Sequence, residues 1–124
     1  MRRFYLMKMI LKTTMASNNT IDLEDFRTQG SKVFTGRDRG LDVRERSMID
    51  EIEANNSEVI VIIPDNIYSI IPSFFEELFL NVVIKLGRDK FLEKFKFKSL
   101  GEYKYQKPLH EAIERILRNN TAIG

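Results

Sequence analysis

Two hydrophobic periods follow one another along this chain, and each change of period marks an element. Residues 59–63 read Val-Ile-Val-Ile-Ile, a β-branched run without alternation. Such a run predicts a strand buried on both faces. Pro64 has no N–H for a ladder, so pairing is expected to end there. Asp65-Asn66 supplies turn chemistry. Ile67, Tyr68, Ile70 and Ile71 are too apolar for a free loop, which predicts a connection packed on the sheet. A helix over 73–86 comes next: Phe75, Leu78, Phe79, Val82 and Leu86 recur at helical spacing, and Gly87 suits the residue just past its end. Ser73 opens this helix with Glu76 three residues on. That is capping-box spacing, in which the hydroxyl accepts from the Glu76 N–H and the carboxylate reaches back to the Ser73 N–H.

The flanking segments extend the pattern. Residues 4–13 alternate as a strand, with Tyr5, Met7, Met9 and Leu11 on one side and Lys8 and Lys12 on the other. A polar turn covers 17–20, and glycines bound a short strand over 32–35. A helix over about 42–54 would place Leu41, Met48, Ile49 and Ile52 on one face, and Asn55-Asn56-Ser57 stops it. Residues 89–93 add a short helix. Residues 94–98 alternate strictly, Phe95 and Phe97 against three lysines, as on a half-buried edge strand. Pro108 suits a helix's first turn. Leu109, Ala112, Ile113, Ile116 and Leu117 form an apolar stripe on that helix, and Asn119-Asn120 is expected to end it. Alternating strands and helices predict an α/β fold: one domain over 1–124 with a mostly parallel or mixed sheet, four- to five-stranded, and three to four helices packed on it.

The totals narrow the function classes. The 124 residues make one ordinary domain, and 43% hydrophobic with 31% charged residues describe a globular chain. With no cysteine, disulfides and thiolate metal sites are excluded. Met1-Arg2-Arg3 before an apolar stretch imitates a signal peptide. Lys8 interrupts it and no small-residue cleavage site follows, so the expected setting is cytoplasmic. A net charge of +2 makes no case for nucleic acid. No cofactor, membrane span, metal constellation or nucleophile–base pair is implied, so the chain reads as a non-enzyme.

Several residues together carry a family resemblance. Gly36-Arg37-Asp38-Arg39-Gly40 opens a helix. A Val/Ile strand ends in Pro64-Asp65. Residues 70–78, Ile-Ile-Pro-Ser-Phe-Phe-Glu-Glu-Leu, start the next helix, and a Phe-rich segment precedes the last one. This order and spacing, over roughly 30–118, resembles the bacterial STAS-like domains of unknown function, relatives of the anti-sigma-factor-antagonist STAS domains. Residues 1–29 would be an added N-terminal strand and loop. The resemblance implies a non-catalytic regulatory module, acting in partner switching with a histidine-kinase-like ATPase or an anti-sigma-like regulator, as monomer or homodimer. By position, Ser73 is similar to the serine that a partner kinase phosphorylates in the antagonist branch. Pro72 stands where that family has an acid, and Phe74-Phe75 replace small residues.

Each candidate has a bland reading beside the sharp one. A phosphate on Ser73 would meet free N–H groups and the positive end of a helix dipole; the alternative is a plain helix cap. Arg37, Arg39, Arg44 and Arg46 suit an anionic or acidic partner, or else form a solvated face with Asp38, Asp42 and Glu45. Asp65, Asn66, Ser73, Phe74, Glu76 and Glu77, beside Arg37, Arg39 and Arg44, compose the expected partner-binding corner. Glu76 and Glu77 diverge by about 100° on a helix, so they make no acid–base pair. His110, the single histidine, is expected on the surface. Lys90, Lys94, Lys96, Lys98, Lys104 and Lys107 with Tyr103 and Tyr105 form the most basic region. They carry the rival reading, an accessory protein binding single-stranded nucleic acid.

Overall fold

A computed structural model describes residues 18–123. The strand expected over 4–13 lies outside them. The elements are β1 (Thr20–Asp22), a 3₁₀ turn (Leu23–Phe26), β2 (Val33–Phe34), α1 (Arg37–Ser47), α2 (Ile49–Asn55), β3 (Val59–Ile63), β4 (Ser69–Ile70), α3 (Pro72–Lys94), β5 (Phe95–Ser99) and α4 (Gln106–Ile123).

The α/β class holds, but the sheet differs from expectation. Among the described residues, β1-β3-β5 form one three-stranded sheet and β2-β4 a separate pair, in place of one sheet of four to five strands, and every pairing is parallel. The expected strand at 59–63 is β3, and it is central. It alternates: Val59, Val61 and Ile63 are fully buried, while Ile60 and Ile62 are half-buried. The unbroken β-branched run therefore has one core face, not two, because the helices pack against one side.

α3 lies across that side, packed between α1 and α4. It buries Phe74, Phe75, Leu78, Phe79, Val82 and Val83, a wider stripe than the periodicity gave. A chain of rings runs through the interior, with Phe79 meeting Phe75, Phe91, Phe95 and Phe97 at centroid distances of 5.2 to 5.9 Å. Each fully buried Phe contributes about 1.5–3 kcal/mol. Gly87 adopts φ 80°, ψ 172°, which interrupts α3 where a helix end was expected, and a short helical segment resumes beyond it.

The helix expected over 42–54 is two helices. α1 starts earlier, at Arg37, and Met48 in the left-handed region (φ 58°, ψ 41°) separates it from α2. The break rotates the faces. Leu41 and Met48 are exposed and Gly40 and Val43 are buried instead, whereas Ile49 is buried and Ile52 packs on the core as expected. α4 runs past Asn119-Asn120 to Ile123; Asn is a weak helix former rather than a stop. On β5, Phe95 is buried and Lys96 and Lys98 are exposed, as the alternation predicts. Lys94 belongs to the end of α3 and turns inward.

Candidate functional site

The corner between β4 and α3 is held by residues far away in sequence. Asn66 takes a left-handed turn conformation (φ 58°), which its short amide side chain tolerates. The Arg27 guanidinium donates to the carbonyl oxygens of Asp65 and Asn66, fixing the turn. Gly101 packs against the same turn; a Cβ there would come within 3.0 Å of Asp65 Cα. The Ile70 N–H donates to the Tyr103 hydroxyl at 3.0 Å, and that hydroxyl lies 3.4 Å from the Ile70 carbonyl oxygen. Tyr103 thus satisfies a strand edge with one side chain. On the other edge of β4, the Ile71 N–H donates to the Phe34 carbonyl oxygen at 2.9 Å.

α3 then begins with Ile71 as N-cap and Pro72 as its first residue, where the missing N–H costs nothing. Ser73 is the second helical residue, so the expected capping box does not form. Its hydroxyl is half-buried and has no hydrogen-bond partner among the described residues. In the segment leading to it, Tyr68 and Ile71 are 75% and 40% exposed, unlike the packed connection the sequence suggests, whereas Ile67 and Ile70 are buried. The Lys32 ammonium sits 5.2 Å above the Tyr68 ring.

Behind this corner, carboxylates and arginines tie three helices together. Glu76 is 4% exposed. It accepts from Arg37 of α1 at 3.2 Å and from Arg115 of α4 at 3.0 Å. Glu77 accepts from Arg44 at 3.2 Å and from Arg37 at 3.4 Å, and Arg44 also donates to Asn81 at 3.2 Å. Arg39 and Arg46 both pair with Asp42. The four arginines are therefore committed to carboxylates, not gathered into an anion site. This explains the buried glutamate: its charge is paired on both oxygens. Gly40 allows the close approach. A Cβ there would overlap the Phe74 carbonyl oxygen and come within 2.8 Å of Glu77 Cβ.

Of the corner residues read from the sequence, Asp65 and Asn66 are on the surface, Ser73 is half-buried, and Arg37 and Arg39 are partly accessible. Phe74 is fully buried between Phe34 and Phe75, and Glu76 is sealed in its ion pairs, so neither side chain is presented to a partner. Arg44 and Glu77 are largely covered. Arg27, Gly40, Tyr103 and Arg115 brace the site, a role with no sign in the sequence, because each acts across more than thirty residues.

A second cluster lies at the C-terminal end of α2. Glu53, almost fully buried, accepts from Lys85 at 2.7 Å and Lys94 at 2.6 Å. Burial pushes its carboxyl up, but the hydrogen bonds and charges of the two lysines outweigh that and hold its pKa below the usual carboxylate value.

The basic region is partly spent. Lys94 is consumed by Glu53, Tyr103 by Ile70, and Tyr105 stacks on Phe97 at 5.3 Å. Lys90, Lys96, Lys98, Lys104 and Lys107 are exposed without a free aromatic platform between them. His110 is exposed. Among the described residues, no hydroxyl bonds a carboxylate or imidazole, no group of three or more acidic or histidine side chains is placed to hold a metal ion, and no helix is long and apolar enough to cross a membrane. Comparisons of the chain with protein-family models, curated proteins and solved structures find no match.

Proposed function

We propose that this chain is a non-catalytic regulatory module of STAS-like type, which docks a protein partner through the corner of Asp65, Asn66, Tyr68, Ile71 and Ser73. One observation carries the reading: Tyr68 and Ile71 are exposed in the segment that leads into Ser73, whose hydroxyl has no internal partner among the described residues, on the first turn of a helix braced by ion pairs to a buried glutamate. A rigid backbone with an apolar rim suits docking, since little conformational freedom is lost on binding. Ser73 serves there as the switch. A phosphate on it adds about −1.5 to −2 charge beside Tyr68 and Ile71, which opposes burial of an apolar contact. Arg37, with more than half its side chain accessible, belongs to the ion-pair network at Glu76, three residues on, and can answer that charge.

The partner class is the one the resemblance implies, a histidine-kinase-like ATPase or an anti-sigma-like regulator in the bacterial cytoplasm. Mass spectrometry of the protein isolated from its native host tests the switch. A phosphate mapped to Ser73 in a fraction of the molecules is the expected result. Consistently unmodified Ser73 across growth conditions contradicts it.

A further inference from the structure

The two faces of the three-stranded sheet are unequal. Ile21, Val59, Val61, Ile63 and Phe95 point into the core. The opposite face presents Thr20 and Asp22 from β1, Ile60 and Ile62 from β3, and Lys96 and Lys98 from β5; none of these six belongs to the core cluster, and all are half-buried or exposed. Parallel sheets are almost always covered on both faces. Among the described residues, this one leaves two isoleucines at the centre of a face outside the core, with a carboxylate along one edge and ammonium groups along the other.

We infer that this face packs against the same face of a second copy of the chain. The register supports that occupant. Asp22 pairs with Ile62, and Ile62 with Lys98, so the three stand at one height across the sheet. A two-fold axis parallel to the strands, midway between two stacked sheets, keeps each residue at its height and lays β1 of one copy over β5 of the other. The Asp22 carboxylate of each copy then faces the Lys98 ammonium of the other, twice, around a centre of Ile60 and Ile62. Such a self-complementary patch is what a two-fold interface requires, and aligned sheet packing provides the geometry. One Asp22 oxygen accepts from the Glu24 N–H, and the other has no partner among the described residues; Lys98 has no ion pair among them either. Strands of three, five and five residues, about 4.8 Å apart, give a face of roughly 200 Å², well under the roughly 800 Å² per partner of a tight complex. The dimer is therefore weak and concentration-dependent.

Sedimentation equilibrium of the full chain, over about 10 μM to 1 mM, tests this with two charge reversals. The wild type is expected to shift from monomer to dimer. Lys98→Glu and Asp22→Lys each set like charges opposite one another and weaken self-association at least tenfold. Mixed together, they restore both pairs and form a heterodimer. Should Asp22→Lys not fold, having lost its bond to the Glu24 N–H, Ile62→Lys supplies a second disruption on the same face outside the core. A monomer at every concentration overturns the inference. Solvent labelling of Ile60 and Ile62 in that monomer then tells whether the face is covered within one chain or left to another protein. A dimer unaffected by Lys98→Glu or by Ile62→Lys overturns it equally, since the contact then lies elsewhere.

Discussion

The Lys94 ammonium donates to both the carboxylate and the backbone carbonyl of a single residue, Glu53, at 2.6 and 2.7 Å. It pins the end of α2 to the end of α3, and Lys85 closes the other carboxylate oxygen. Because the folded-state pKa of Glu53 is depressed, its ionised form contributes stability at neutral pH. That contribution is lost as pH falls below the ordinary carboxylate value of about 4.3 and through the lower folded one. Lys94→Met is expected to destabilise by about 1.5–3 kcal/mol at pH 7, the range for hydrogen bonds to a charged group. In urea titrations, the stability gap between wild type and Glu53→Gln should shrink as the solution is acidified. An unchanged gap in acid contradicts the assignment.

At Gly40 the usual rule for helices reverses. Replacing a mid-helix glycine by alanine ordinarily stabilises by about 0.8–1 kcal/mol. Here the added methyl meets the Phe74 carbonyl oxygen and Glu77 Cβ, so α1 must move away from α3. Gly40→Ala is expected to destabilise by about 1–3 kcal/mol, as overpacking does. A more stable variant in the same titration would show that the two helices are not in such close contact.

Tyr103→Phe removes one hydroxyl and nothing else. The Ile70 N–H loses its acceptor and the adjacent strand edge is left open. About 1 kcal/mol of global stability should go, with faster hydrogen exchange confined to β4 and the start of α3. Exchange at Ile70 equal to that of the wild type would mean that the hydroxyl does not close this edge.

The basic strip from Lys96 to Lys107 gives a contrasting expectation. With Tyr103 and Tyr105 engaged internally, it lacks the stacking platform that single-stranded binding uses. No mobility shift of an oligonucleotide is expected at low salt. A salt-sensitive shift, lost in Lys96→Ala/Lys98→Ala, would revive the nucleic-acid reading.

Local chemistry made much of this fold readable. The β-branched run placed β3, Gly87 marked the interruption in α3, and the Phe/Lys alternation placed β5. What the sequence concealed was set by distant partners. Met48 breaks a helix that its neighbours' propensities would continue, and no turn residue announces it. Ser73 and Glu76 have capping-box spacing, yet Pro72 starts the helix one residue early and Glu76 turns to Arg37 and Arg115 instead. Phe74, placed by its position at the docking corner, is inside instead, because α3 is buried over an arc wide enough to hold both adjacent phenylalanines. The corner at Asp65 to Ser73 was located from sequence, but its braces at Arg27, Tyr103 and Gly101 lie some 35 residues away and left no local signal.

A docking surface switched at Ser73 is the centre of this account. Its most direct test is a calorimetric titration of the wild type, Ser73→Ala and Ser73→Asp with histidine-kinase-like ATPase regulators purified from the native host. Ser73 makes no side-chain cap, so Ser73→Ala should fold and bind as the wild type does. Ser73→Asp should bind at least tenfold more weakly, a difference of about 1.4 kcal/mol. Equal affinity for all three proteins would contradict a switch at this corner.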